Sequence, residues 1–213
     1  MSTAVLIDGG FFKKRHKLLY GKFSAADLAE KMVQYALSRL RAGEDGLYRI
    51  FYYDCAPHAY EAHTPISKKL VKFANTPESK FQHDFLEELK SKRKVAIRLG
   101  ELHKFGWKLY PRSLTNVLKG ITPVSSLTDN DYVFSVEQKG VDMRMGLDIA
   151  ALAYKRLVNQ ILLISGDSDF VPAAKLARRE GIDFVLDPMK NPIKPSLHEH
   201  VDGIIGQNNL IQI

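Results

Sequence analysis

Apolar residues in this chain fall into two alternating patterns. Residues 4–7, 47–53, 161–164 and 182–186 are short, nearly unbroken apolar runs. Such runs mark strands buried on both faces of a parallel sheet. Between them the apolar positions recur at helical spacing. Leu28, Met32, Tyr35, Ala36 and Leu40 follow Ser24, with Asp27 completing an approximate capping box. Phe81, Phe85, Leu86 and Leu89 form one face of a helix over residues 79–93. Residues 143–157 are apolar almost all round, which predicts a helix buried against the sheet. Pro172 opens a further helix and Gly181 closes it, making a βαβ unit of residues 160–186. A short last helix starts at Ser196 and carries Leu197, Val201, Ile204 and Ile205. Strands alternating with helices predict an α/β domain.

The middle of the chain is less regular. Residues 56–77 hold Pro57, Pro65 and Pro77 together with His58 and His63, and read as a lid or insertion over the carboxyl edge of the sheet. Residues 95–102 predict a strand, with 107–110 as its hairpin partner. Residues 113–131 are polar and turn-rich, and 132–136 form another short strand. Arg98, Lys104, Lys108 and Arg112 interleave with Phe105, Trp107 and Tyr110. That mixture can stack on unpaired bases, but a half-buried hairpin with one solvated face is the better reading. The expectation is a single domain over residues 1–213, with 54–130 as its insertion or lid region.

Composition narrows the picture in three ways. With 213 residues, 45% of them hydrophobic, the chain can bury the core of one α/β domain. The 31 Lys and Arg residues against 24 Asp and Glu give a net charge of +7, which suits a polyanionic partner or simply a basic surface. Cys55 is the only cysteine, so an intrachain disulfide and a zinc-finger site are excluded by count. Residues 1–10 lack the pattern of a signal peptide, and no apolar run approaches the roughly 18 residues of a membrane span. A soluble, reducing, cytoplasmic setting with no membrane partner is the expectation.

The candidate chemistry lies in the acids. Asp8 follows the first strand and precedes Gly9-Gly10. Asp167 and Asp169 follow the strand at 161–164, and Asp142 opens the apolar helix. In open α/β sheets ligands bind just outside the carboxyl ends of strands. For Asp8 taken alone, capping of the next helix is the better reading. Asp54 also ends a strand, but an irregular segment follows it, so it ranks lower. Asp148 lies six residues after Asp142, roughly 120° away around a straight helix, so the two cannot share a face. Several carboxylates at one edge repel unless a cation binds. Mg²⁺ or Mn²⁺ takes oxygen ligands and can promote attack of water on a phosphodiester. Lys13, Lys14 and Arg15, with His16 and Lys17, form a basic cluster near Asp8 that could contact phosphate or merely face solvent. There is no phosphate-binding GxxxxGK[ST] loop and no GxSxG elbow. A phosphatase using Asp8 as nucleophile would want a second Asp at position 10, where this chain has Gly. His198, His200 and Asp202 are splayed by helical geometry and read as a surface helix.

The segments VLIDGG (residues 5–10), KGVDMRMGLDIA (139–150) and LISGDSDFVPAAKLARREG (163–181) resemble the NYN family of PIN-like ribonucleases. The resemblance implies a Rossmann-like, mostly parallel sheet with helices on both faces. It also implies an acidic Mg²⁺ or Mn²⁺ pocket and hydrolysis of RNA, single-stranded in the first instance. Asp8, Asp142, Asp167 and Asp169 match the family's acidic positions, and Asp148 matches a recurrent acid of the middle motif. Asp8 and Asp167 are then expected to hold the metal. Asp142 would complete the shell or orient the attacking water, and Asp169 would act through water or a second ion. Lys13, Lys14, Arg15 and Arg144 are candidate RNA contacts. Family members often carry Asn shortly after the first Asp, where this chain has Gly10 and Phe11. A non-catalytic RNA-binding or regulatory module and a small-molecule phosphatase are the alternatives, and a homo-oligomer is left open.

Overall fold

The computed structural model of the chain describes residues 2–40 and 46–206. The order is β1 (Thr3–Asp8), α1 (Gly9–Tyr20), α2 (Ala25–Ser38), β2 (Leu47–Cys55), a small hairpin of β3 (Glu61–His63) and β4 (Leu70–Lys72), α3 (Pro77–Lys90) and β5 (Val95–Leu109). Then follow α4 (Pro111–Leu118), β6 (Tyr132–Lys139), α5 (Val141–Tyr154), β7 (Gln160–Ile164), α6 (Val171–Arg179), β8 (Asp183–Asp187), α7 (Pro195–His198) and β9 (Gly203–Ile204). The main sheet runs β6-β5-β2-β1-β7-β8-β9, parallel throughout except for β5 with β6. The chain winds outward from β1 through β2 to β5, then returns to place β7 on the other side of β1. The strand order therefore reverses between β1 and β7, and a crevice opens at such a switch point.

The apolar runs became these strands because both faces of the sheet are covered. Val5 and Ile7 pack with Phe12, Leu28, Met32 and Phe85 beneath α1, α2 and α3. Ala4 and Leu6 point the other way and pack with Met145, Ile149 and Ala174 beneath α5 and α6. This is the Rossmann-like α/β sheet with helices on both faces. Ser24 caps α2 by accepting from the Asp27 N–H, and Pro172 opens α6, as their positions predict. Among the described residues no helix is long and apolar enough to cross a membrane.

Several elements differ from expectation. The hairpin pairing residues 95–102 with 107–110 does not form. β5 runs on for 15 residues, and its second half pairs with β6 instead. Gly106, at φ +84°, sits at a register shift in that pairing and absorbs the irregularity without reversing the chain. Residues 101–109 and β6 thus form an arm reaching beyond the parallel sheet. Residues 56–77 contain the β3–β4 hairpin, and the turn-rich stretch after Ser113 contains most of α4. The last helix is only Pro195–His198, and Ile204 joins the sheet edge as β9. In the sequence Gly43 and Gly46 flank the exit of α2, and Gly43 lies outside the described residues. On the arm, Phe73 packs against Phe134 at 4.5 Å between ring centroids and against Trp107 at 6.2 Å, with His58 beside it. This satellite core fastens the hairpin to the arm and occupies Trp107, leaving Phe105 and Tyr110 exposed.

The fully buried helix expected at residues 143–157 is half right. α5 buries Val141, Met145, Ile149 and Leu152 but leaves Met143, Leu147 and Tyr154 in solvent. Only one side of the helix meets the sheet.

Candidate active site at the carboxyl edge

Asp8 ends β1 and caps α1, the helix-capping use that its position predicts. Its Oδ1 accepts from the Phe11 N–H at 3.0 Å, and its Oδ2 accepts from Ser165 Oγ at 3.3 Å. The turn into α1 lies tight against β2. A Cβ on residue 9 would stand 2.4 Å from Tyr52 Oη and 2.6 Å from the Tyr53 carbonyl oxygen, so only Gly9 fits. Ser165 follows β7, is fully buried, and joins the two strand ends. Its hydroxyl donates to Asp8 and accepts from the Asp167 N–H at 3.2 Å. Asp167 in turn accepts from the Asp169 N–H at 3.0 Å, which opens the 3-10 turn leading into α6. Ser165 was not among the expected site residues. A serine in a turn carries no signal until its neighbours in space are known.

Asp142 arrives from a third direction. β6 returns along the arm to the sheet edge, Gly140 turns at φ +75°, and α5 begins with Asp142 in its first turn. Gly100 lets this return pass close to β5, since a Cβ there would lie 2.5 Å from the Lys139 carbonyl oxygen. Asp142, Asp167 and Asp169 are exposed, while Asp8 is largely enclosed.

Asp142 links the acids electrostatically, acting on Asp8 and acted on by Asp167 and Asp169. Burial pushes the Asp8 carboxyl above its ordinary range; the Phe11 N–H and Ser165 oppose this, while the charges of Asp142 and Asp54 add to it. The Asp142 carboxyl is also pushed up, by partial burial first and then by Asp167 and Asp169. Among the described residues no three His, Cys, Asp or Glu side chains form a ready-made metal cluster. The donor chemistry nevertheless fits a hard divalent cation. All four groups are carboxylates, and their mutual repulsion is what such an ion relieves.

The remaining candidates separate. Asp148 lies away from Asp142, as the helical phase requires. Its Oδ2 accepts from Tyr53 Oη at 2.8 Å and Arg98 Nε at 3.1 Å, tying α5 to β2 and β5. Lys13 turns inward to Asp54, with Nζ 2.6 Å from its Oδ2, and also donates to Gln82. Asp54 is 2% exposed and further accepts from Tyr52 Oη at 2.6 Å and the Cys55 N–H at 2.8 Å. The strand-end acid that the sequence ranks below the others is therefore almost completely enclosed. Arg15 donates twice to the Met189 carbonyl oxygen, at 2.8 and 3.2 Å. Arg144 is exposed and donates to the Gly140 carbonyl oxygen at 3.3 Å, while Lys14 is exposed. An open cleft of about 670 Å³ lies at the other edge, by the start of β8, lined by Lys175, Arg178 and Arg179. Asp183 and Asp202 complete that lining, and none of Asp8, Asp142, Asp167 and Asp169 contributes to it.

Among solved structures, a crystal structure of a protein of unknown function from Vibrio parahaemolyticus aligns with 99% of this chain and 96% of its own, at 16% identity and a TM-score of 0.47. Among curated proteins, none matches the chain. A family model for the NYN domain, a family associated with nuclease activity, matches residues 2–200. That match covers all the acids of the carboxyl edge, and the chain belongs to the NYN domain family.

Proposed function

We propose that this chain is a metal-dependent ribonuclease, cleaving phosphodiester bonds of single-stranded RNA at the carboxyl edge of the sheet. The observation that carries this reading is the convergence of Asp8, Asp142, Asp167 and Asp169 from three separate elements on the β1–β7 switch point, with the Asp8 carboxyl pushed up by burial and by Asp142, and the Asp142 carboxyl by burial and by Asp167 and Asp169. Asp8 and Asp167 are the residues to hold Mg²⁺ or Mn²⁺, with Asp169 contributing through water. Such an ion, when bound, supplies charge neutralisation at the phosphodiester and a more acidic water. Asp142 would complete the ligand shell or orient the attacking water with its carboxylate. Ser165 keeps Asp8 and Asp167 in register, and Asp148 holds α5 so that Asp142 faces the site. Lys14 and Arg144 are the exposed candidates for phosphate contact, whereas Lys13 and Arg15 are engaged with protein atoms. The hairpin and arm within residues 54–130 belong to the same domain and flank the path of the RNA.

The test is cleavage of a labelled single-stranded RNA with Mn²⁺ or Mg²⁺, comparing the native chain with Asp167→Asn. A large loss of rate in a folded variant supports hydrolysis at this edge. Equal cleavage by both removes Asp167 from the site. RNA bound but cut by neither favours the binding-module reading.

A further inference from the structure

Two apolar faces of this chain have no partner among the described residues. One is on α4, which closes the outer end of the arm and buries none of its residues. Leu114, Leu118 and Ile121 share one side of it and of the turn that follows, and Leu118 is 77% exposed. The other face is on α5. Met143, Leu147 and Tyr154 lie within about 40° of one another around the helix, diametrically opposite the residues packed on the sheet. Contiguous apolar surface of this kind marks an interaction site.

We propose that a second copy of this chain covers both faces: α4 of each copy lies on α5 of the other, about a twofold axis. Three observations select this occupant. First, reach: the arm leaves β2 after Gly100, and its nine remaining residues in β5 extend roughly 30 Å. Second, area: the six side chains together hold roughly 700 Å² of exposed surface, close to the ~800 Å² that each partner contributes to a standard interface. A reciprocal contact buries both sets on both copies, whereas α4 or α5 pairing with itself leaves the other set in water. Third, charge: the arm carries exposed Lys104, Lys108, Arg112 and Lys119, and α5 begins beside exposed Asp142, Asp167 and Asp169. The basic arm of one copy thus approaches the acidic edge of the other. A twofold contact is isologous and closes without forming filaments.

The experiment is sedimentation of the full chain, followed by cysteine cross-linking. The native chain is expected at twice its mass of 24.1 kDa. Leu118→Glu and Leu147→Glu, each placing a charge in the contact, should weaken association roughly 100-fold or more while leaving the circular dichroism spectrum unchanged. Leu118→Cys and Leu147→Cys proteins, mixed and oxidised, should give an interchain disulfide that neither gives alone. A chain that sediments as a monomer throughout overturns the proposal. So does cross-linking of either variant by itself, which would show α4 on α4 or α5 on α5. None of these readouts depends on nuclease activity.

Discussion

Asp8 accepts two hydrogen bonds that favour its charge, yet burial and the neighbouring acids oppose that charge more strongly. Its folded-state pKa is therefore raised, so the folded chain holds this proton to higher pH than the unfolded chain does. Linkage then gives the sign: stability falls as pH rises from the ordinary carboxylate range, near 3.9, through the folded value, and stays lower above it. Asp8→Asn keeps a good helix cap and removes the buried charge. Without metal, its Tm at pH 7 should exceed the native value by about 2–4 °C for each kcal/mol relieved, and the gain should vanish toward pH 3. Added Mn²⁺ should raise the Tm of the native chain but not of the variant. A variant that melts lower at pH 7 would show that the carboxylate stabilises the fold as it stands. Lys13 tests a different point. Removing it strands Asp54 as an unpaired charge, so Lys13→Met should cost about 3 kcal/mol in urea unfolding, whereas exposed Lys14→Met should cost under about 0.5. Unchanged stability with weakened RNA binding in Lys13→Met would return Lys13 to the phosphate contacts.

At the scale of elements, strand ends and helix starts deliver the acids, and glycines set the approach. Gly140 takes the left-handed conformation just before α5. Gly140→Ala should cost roughly 1 kcal/mol and shift the first turn of α5, which carries Asp142. RNA cleavage should then fall further than that stability loss explains, as it would in Asp142→Asn. Equal cleavage at matched folded fraction would show that Asp142 does not need this turn. This level also shows how far the sequence could be read. β1, β7 and β8 are plain apolar runs between polar turns, so the strands carrying Asp8, Asp167 and Asp169 were legible from local pattern. The length of β5 was not, because Gly106 interrupts its alternation and looks like a turn. α4 was hidden because it has no buried face in one chain. The hydropathy of α5 announced a buried helix, but composition cannot tell cover by the same chain from cover by another. Ser165 and the Lys13–Asp54 pair were invisible for a simpler reason: their meaning lies in contacts across 157 and 41 positions of sequence.

For the whole molecule, a net charge of +7 around an acidic edge is a distribution, and its consequence is a salt dependence. RNA bound through cationic side chains releases counterions, and for single strands log K falls against log salt with a slope of about −0.7 per phosphate neutralised. The structure divides the basic residues near Asp8 into those facing solvent and those holding the fold. Lys14→Ala should make the slope shallower by about 0.7, with little change in Tm. Arg15→Ala removes two charged hydrogen bonds to Met189, so it should lower stability by about 1–2 kcal/mol and leave the slope unchanged. Titrating a fluorescent RNA into each variant at several salt concentrations, alongside urea unfolding, separates the two effects. If Arg15→Ala flattens the slope instead, the Met189 contact must open when RNA binds, and the link between α1 and the end of β8 becomes part of the binding surface. If the native slope is itself near zero, the excess positive charge does not face RNA. Binding would then rest on the acidic edge alone, which repels a polyanion unless a cation is present.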